Sequence, residues 1–317
     1  MRDAFQREIN YLRVSVTELC NLRCRYCMPA DGVCKKTHSE MLSAEETLIA
    51  VRAAAALGFR KLRLTGGEPL VKRNIVDLCA QIAEVEGIEE ICMTTNGVLL
   101  PKLGRSLRDA GMNRLNISLD TLDPKKYAYI TRVGRLEDAI AGLEAGLEAG
   151  FDKIKINAVL IGGFNDDEIV PLAELTKKYP VDMRFIELMP MYDSGDFSQW
   201  SMIPVTRVLE TLPELERVKP DGGVASLYRL PGAMGNVGLI SPMSAHFCGT
   251  CNRLRLTADG KIKSCLHSSE EFSVKGMSLE EMMEQFRRAV LSKPECHEVL
   301  TAKQRSKAGR NMNEIGG

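Results

Sequence analysis

Three cysteines stand close together in Cys20-Asn-Leu-Arg-Cys24-Arg-Tyr-Cys27. Gaps of three and two residues let one compact loop wrap all three thiols around a single metal centre. Structural zinc sites normally close on four ligands, and the nearest fourth candidates, Cys34 and His38, lie beyond Pro29, Asp31 and Gly32. Soft thiolates also suit an iron–sulfur cluster, where three protein ligands leave one iron open to a small molecule. A second set is Cys248-Gly-Thr-Cys251, with Cys265 after thirteen intervening residues. His246 and His267 flank it, so a Cys3His zinc hairpin and an iron–sulfur cluster are both open readings. Symmetry with the first set favours the cluster. Cys79 and Cys92 sit in apolar surroundings, where a small buried hydrophobe is the expected role.

Those residues need elements to hold them. Apolar, β-branched runs recur at Tyr11–Thr17, Lys61–Thr65, Ile91–Thr95, Arg114–Leu119, Lys153–Val159 and Val181–Glu187. Helical periodicity fills Ser43–Leu57, Asn74–Glu86, Lys102–Ala110, Leu136–Ala149 and Asp167–Lys178. Such alternation implies parallel strands with right-handed crossovers, closing into an incomplete (β/α)6 barrel or lying as a doubly wound sheet. In α/β barrels ligand groups gather at the C-terminal ends of the strands. Here those ends read Thr17-Glu18-Leu19-Cys20, Gly66-Gly67-Glu68-Pro69 and Thr94-Thr95-Asn96-Gly97. Ser118 and Asp120, Lys155 and Asn157, and Glu187-Leu188-Met189 follow on the later strands. Each loop alone reads as turn chemistry; one shared rim explains them together. Gly142 and Gly146 lie on one helical face and are expected to permit close packing rather than catalysis.

Two regions are expected, residues 1–190 as the barrel and 191–317 as a smaller C-terminal cap. In the cap, Val237–Ile240, Leu254–Thr257 and Lys261–Cys265 suggest antiparallel hairpins, and Ser278–Leu291 a helix. The 317-residue chain is 44% hydrophobic and 26% charged, the composition of a folded protein. Lys+Arg and Asp+Glu balance at 42 each, so no global field recruits nucleic acid or an anionic membrane, although a local basic pocket can hide in a zero sum. Without a signal-peptide core or an apolar run near the roughly 18 residues of a membrane span, a cytoplasmic protein is expected. Ten cysteines then point to metal binding rather than disulfides.

Cys-x3-Cys-x-Tyr-Cys after the first strand, with Gly66-Gly67-Glu68-Pro69 after the second, resembles the radical S-adenosylmethionine (SAM) superfamily. Cys248-x2-Cys251-Asn-Arg253-Leu-Arg255, Cys265 and a chain ending Ile315-Gly316-Gly317 narrow the resemblance to its GTP 3′,8-cyclase family, from about Asn10 to the last residue. The resemblance implies two [4Fe–4S] clusters, one on Cys20, Cys24 and Cys27 that binds SAM and one on Cys248, Cys251 and Cys265 that binds substrate. It implies SAM contacts at Tyr26, Gly67, Ser118 and Met189. GTP contacts are implied at Arg13, Arg63, Thr94, Lys155, Arg253, Leu254 and Arg255, with Arg13, Arg253, Arg255, Gly316 and Gly317 as catalytic residues. Guanidinium forks suit phosphate oxygens, and Arg253 and Arg255 share strand parity and so one face. The Gly-Gly tail would reach the site across a flexible, basic Thr301–Arg310 segment.

The implied reaction takes hydrogen from the GTP ribose C3′ by a 5′-deoxyadenosyl radical, joins C3′ to C8 of guanine and yields (8S)-3′,8-cyclo-7,8-dihydroguanosine 5′-triphosphate for molybdenum cofactor biosynthesis. Implied partners are an electron donor and the next enzyme of the pathway, cyclic pyranopterin monophosphate synthase; a homodimer is also open. Cys34 is an extra thiol with no family role, and Asp193–Gly223 carries no motif. Two alternatives compete: a zinc-stabilised protein whose arginine-rich face binds nucleotide or RNA without chemistry, and a radical SAM enzyme with an auxiliary cluster acting on another substrate.

Overall fold

The computed structural model describes residues 1–33, 36–191, 200–298, 300–301 and 305–316; Cys34, Gly317 and residues 193–199 of the motif-free region lie outside them. Six parallel strands run in register: β1 (Tyr11–Ser15), β2 (Lys61–Thr65), β3 (Glu90–Thr95), β4 (Arg114–Ser118), β5 (Lys153–Gly162) and β6 (Val181–Glu187). Their crossovers are α1 (Ala44–Ala56), α2 (Ile75–Ala83), α3 (Leu100–Asp109), α4 (Pro124–Thr131) with α5 (Leu136–Glu148), and α6 (Ile169–Lys178). The expected incomplete (β/α)6 barrel is present. Alternation creates it: Leu12 and Val14, like Leu62 and Leu64, are fully buried in the core, while Arg13 and Arg63 turn to the other face. Helix α1 starts on a capping box in which Ser43 Oγ accepts from Glu46 N at 3.0 Å and Glu46 Oε2 accepts from Ser43 N at 2.8 Å. The sequence reading passed over α4, although Asp123 caps it and Pro124 occupies its first turn.

The remaining elements are β7 (Ser201–Met202), α7 (Arg207–Thr211), β8 (Glu216–Arg217), β9 (Ser226–Arg229), β10 (Val237–Ile240), β11 (Arg253–Leu256), β12 (Lys261–Lys263), β13 (Phe272–Ser273), α8 (Leu279–Leu291) and α9 (Met312–Ile315). They extend the barrel sheet at both edges, in the order β13-β12-β11-β1-β2-β3-β4-β5-β6-β10-β9-β8. The hairpins expected of β11 with β12 and of β10 are there, but β11 also pairs parallel with β1, and β10 with β6. An edge strand leaves a row of unpaired backbone groups, and these additions satisfy them. Phe59, just beyond α1, stacks on Phe286 of α8 with centroids 5.8 Å apart, fastening the C-terminal region to the barrel's outer face. Among the described residues no helix is long and apolar enough to cross a membrane.

Gly142 does serve close packing, against a turn. A Cβ at that position would lie 2.1 Å from the Gly97 carbonyl oxygen, whereas one at Gly146 would meet Ile154 Cδ1 at 3.3 Å. Gly97 itself takes φ +83°, which bends the chain after β3 into the contact. Gly142→Ala is therefore expected to cost about 1–3 kcal/mol by overpacking and Gly146→Ala clearly less. Urea unfolding of the two variants side by side checks this; equal losses contradict it.

Candidate functional site

The concave side of the sheet encloses a cavity of about 810 Å³, reached by residues from all six barrel strands and from the C-terminal region. All six cysteines of the two sets line it. The first thiol loop is held by the turn after β2: Gly67 N donates to Thr17 O and Glu68 N to Leu19 O, both at 2.8 Å. A Cβ at Gly67 would stand 2.4 Å from Leu19 O. The glycine thus makes room for the thiol loop itself. Glu68, buried, accepts from Leu70 N at 3.0 Å, Thr95 Oγ1 at 2.7 Å and Asn96 N at 2.7 Å, and burial pushes its carboxyl up to about 7. Asn96 in turn donates to Asn21 at 2.8 Å and reaches the Cys20 sulfur at 3.9 Å. The ends of β1, β2 and β3 are thereby tied around one carboxylate.

Burial pushes the thiols of Cys20 and Cys27 up to about 11 and about 12, and that of Cys24 well above its ordinary value. Three thiols so placed become thiolates only with a cation between them, which is what an iron–sulfur core provides. The donor set fits the cluster. Among the described residues no three His, Cys, Asp or Glu side chains are arranged to hold one metal ion; cluster thiolates, each on its own iron, need no such convergence. Beside this loop Tyr26 donates to Asp120 Oδ2 at 2.7 Å, Asp120 Oδ1 accepts from Val159 N at 2.8 Å, and burial raises Asp120 to about 6. Gly67, Ser118 and Met189 line the same cavity.

The second set is built on a 3-10 turn at Cys248–Thr250 and on the hairpin of β11 and β12. Arg7, paired with Asp3 at 2.6 Å, donates to Cys248 O at 2.8 Å and fixes that turn. Burial works to raise the Cys251 thiol, but Arg253 and Lys293 outweigh it and bring the group down to about 7. The rings of His246, His297 and His267 stack in a row with centroid spacings of 4.6 and 4.7 Å. His267 bonds Ser306 Oγ at 3.0 Å, and burial, with the His297 ring, holds it down at about 3. Its neutral imidazole is thus engaged in the fold. Cys79 and Cys92 are buried, as expected; Cys296 is exposed beside Cys248.

Between the sets lies a row of cations. Arg255, Arg13 and Arg63 occupy matching register positions on β11, β1 and β2. Burial and the Arg255 charge push Arg13 well below its ordinary value, and burial with Arg253 brings Arg255 to about 10. Arg63 donates to Tyr11 Oη and, at 3.2 Å, to Thr94 Oγ1. One terminal nitrogen of Arg253 is buried without a hydrogen-bond partner. These are the marks of a wall that receives an anion. Lys155 is already paired with Asp221 at 3.1 Å, and burial, with Arg184 nearby, lowers it to about 8. Leu254, expected among the GTP contacts, turns its side chain into the core. Lys61, Arg114, Asn116 and Arg184 also line the cavity and were missed, whereas Asn157 stands on the rim where it was expected.

The tail arrives here as well. Gly316 is buried at φ +79° and its carbonyl accepts from Arg255 at 2.5 Å. Of the segment leading to it, expected to be loose, residues 302–304 lie outside the described residues and residues 305–310 are anchored: Ser306 N donates to Pro190 O at 2.9 Å, and Arg310 grips Glu271 at 2.6 and 2.8 Å and Asp259 at 3.0 Å.

Residues 14–176 match the family described as Radical SAM superfamily, and residues 181–299 the one described as Molybdenum Cofactor Synthesis C. The chain is 47% identical over 326 residues to a GTP 3′,8-cyclase of Alkaliphilus oremlandii (strain OhILAs), with 100% of both covered. It is 45% identical over 327 residues to that of Moorella thermoacetica (strain ATCC 39073 / JCM 9320), again with 100% of both covered. Among solved structures, Streptococcus suis SuiB bound to S-adenosylmethionine superposes with TM-score 0.63 at 17% identity; the overlap spans 87% of this chain but only 64% of that one, and shows a shared fold.

Arg310→Ala should release the tail. Losing one partner of a buried ion-pair network costs about 3 kcal/mol, so amide hydrogen exchange at residues 311–316 is expected to speed up roughly 100-fold while the barrel strands stay protected. Unchanged exchange there contradicts the anchor.

Proposed function

The chain belongs to the GTP 3′,8-cyclase family of the radical SAM superfamily, and from that membership we propose how its single cavity divides the work. It is a lyase of molybdenum cofactor biosynthesis, converting GTP to (8S)-3′,8-cyclo-7,8-dihydroguanosine 5′-triphosphate, and its cofactors are SAM and two [4Fe–4S] clusters. Cys20, Cys24 and Cys27 hold one cluster with SAM beside it; Cys248, Cys251 and Cys265 hold the other, on which guanine sits. When bound and reduced, the first cluster with SAM supplies the 5′-deoxyadenosyl radical that takes hydrogen from ribose C3′.

The chain's own residues do the rest. The observation that carries this reading is the cation row between the two thiol sets, since a triphosphate laid on it brings the ribose between them. Arg13, Arg253 and Arg255 take phosphate oxygens through charge-assisted hydrogen bonds. Arg63, steadied by Tyr11 and Thr94, closes one end of the row. Lys155 turns from Asp221 to the phosphate, an exchange of one anion for another that leaves its charge compensated. Tyr26, with its hydroxyl on Asp120, holds its ring beside adenine; Gly67, Ser118 and Met189 complete the SAM pocket. Gly316 lies against Arg255, so the tail helps decide where that guanidinium points, and Gly317 acts with it.

In this reading residues 1–190 carry SAM and residues 191–317 the second cluster and most substrate contacts. The protein works in the cytoplasm, where thiols stay reduced. An external electron donor supplies the reduction, and the product passes to the enzyme that forms cyclic pyranopterin monophosphate.

Reduced, anaerobically reconstituted protein incubated with SAM and GTP should release 5′-deoxyadenosine and the cyclised nucleotide. Deoxyadenosine without a GTP-derived product refutes the substrate and leaves the radical chemistry standing. Arg253→Ala is expected to weaken GTP binding by roughly 10- to 100-fold, the worth of a hydrogen bond to a charged group at about 1.5–3 kcal/mol, and to leave SAM binding within about 2-fold. Isothermal titration with each ligand decides; equal losses contradict the division of sites.

A further inference from the structure

Lys293 follows α8 and is 3% exposed, a burial that long basic side chains rarely reach. Its ammonium donates to Arg253 O at 2.9 Å and Ser264 O at 2.7 Å, and its charge bears on the Cys251 thiol. Among the described residues its hydrogen-bond partners are thus two carbonyls, and neither is a carboxylate. A buried ammonium with only neutral acceptors is costly unless a negative charge lies close by. The nearest candidate is the second thiol set, because three thiolates outweigh the charge of an oxidised [4Fe–4S] core and leave the whole anionic, more so after reduction. The two carbonyls fix the ammonium from behind: Arg253 opens β11, and Ser264 directly precedes Cys265. The cation is therefore positioned by the same two segments that carry two of the three thiols.

We infer that Lys293 is a positioning residue that sets the reduction potential of the Cys248–Cys251–Cys265 cluster by holding a fixed positive charge between the two segments that carry Cys251 and Cys265. Charge and hydrogen bonds at the sulfurs are the protein's main levers on such potentials. A nearby cation stabilises the more negative, reduced form and so raises the potential. Lys293 stands at the second thiol set and not at the first, so its charge acts chiefly on the second cluster. This inference rests on the two-cluster reading above.

The test is a redox titration of each cluster by electron paramagnetic resonance in the wild-type protein and in Lys293→Met, which keeps the volume and removes the charge. Expected is a shift of the second cluster to more negative potential, with the SAM-binding cluster unmoved. An unchanged second potential in Lys293→Met overturns the inference. If that variant fails to retain its second cluster, iron and sulfide counts and the same titration are applied to Lys293→Arg, which restores the charge. Recovery of the cluster near the wild-type potential supports the electrostatic role, and loss in both variants overturns it in favour of a purely structural one. Failure of the wild-type protein to assemble two clusters would instead sink the two-cluster reading itself.

Discussion

Three guanidinium groups in register on adjacent strands are the constraint around which this molecule is arranged. Neighbouring strands stand about 4.8 Å apart, so Arg255, Arg13 and Arg63 crowd their charges on one wall of an enclosed cavity. Burial and mutual repulsion both act against Arg13 and Arg255. The acceptors seen on Arg63 and Arg255 are neutral: the Tyr11 and Thr94 hydroxyls and the Gly316 carbonyl. Dipoles steady the groups without cancelling the charge. A wall of this kind is formed before substrate arrives, and an anion relieves it on arrival; preorganisation of this sort lowers the cost of binding because little has to be reordered. It also explains why the C-terminal tail docks where it does, for the buried Arg255 needs an acceptor and the tail's last turn supplies one.

Much of this arrangement was legible in the sequence because its signals are local. Cysteine spacing, the Gly-Gly-Glu-Pro turn and the period-two alternation that buries Leu12 and Leu62 while freeing Arg13 and Arg63 all fall within a few residues. The register of β11 on β1 was not legible. It joins residues some 240 positions apart in the chain, and nothing in Arg253-Leu-Arg255 announces that its partner is Tyr11-Leu-Arg13. Parity did show that Arg253 and Arg255 share a face, and the side chain of Leu254 takes the opposite one, in the core. Gly67 stands where it was expected, and the structure adds a demand of its own there, the close approach of Leu19 O. Lys61, Arg114 and Arg184 were readable as strand cations but not as cavity residues, because which face looks inward depends on how the sheet curls.

The two thiol sets, far apart in sequence, are joined through a carboxylate that belongs to neither. Asp259, in the β11–β12 turn, accepts from Arg310 at 3.0 Å and from Lys36 at 3.2 Å. Lys36 continues to Glu18 at 2.6 Å, two residues before Cys20, and Asn313 in the tail donates to Glu18 O at 3.4 Å. The tail, the hairpin that carries the second thiol set and the loop that carries the first therefore share one hydrogen-bonded chain. Half-buried pairs such as these add little net stability, because desolvation offsets much of their attraction. What they define is geometry: they tie the positions of the three segments to one another. A reaction that must bring a radical source and a substrate to one ribose carbon depends on that shared position, where misplacement by about 1 Å can cost roughly 100-fold in rate. The arginine row supplies the attraction for substrate, and the Asp259 network fixes where the attracted molecule lies relative to both clusters.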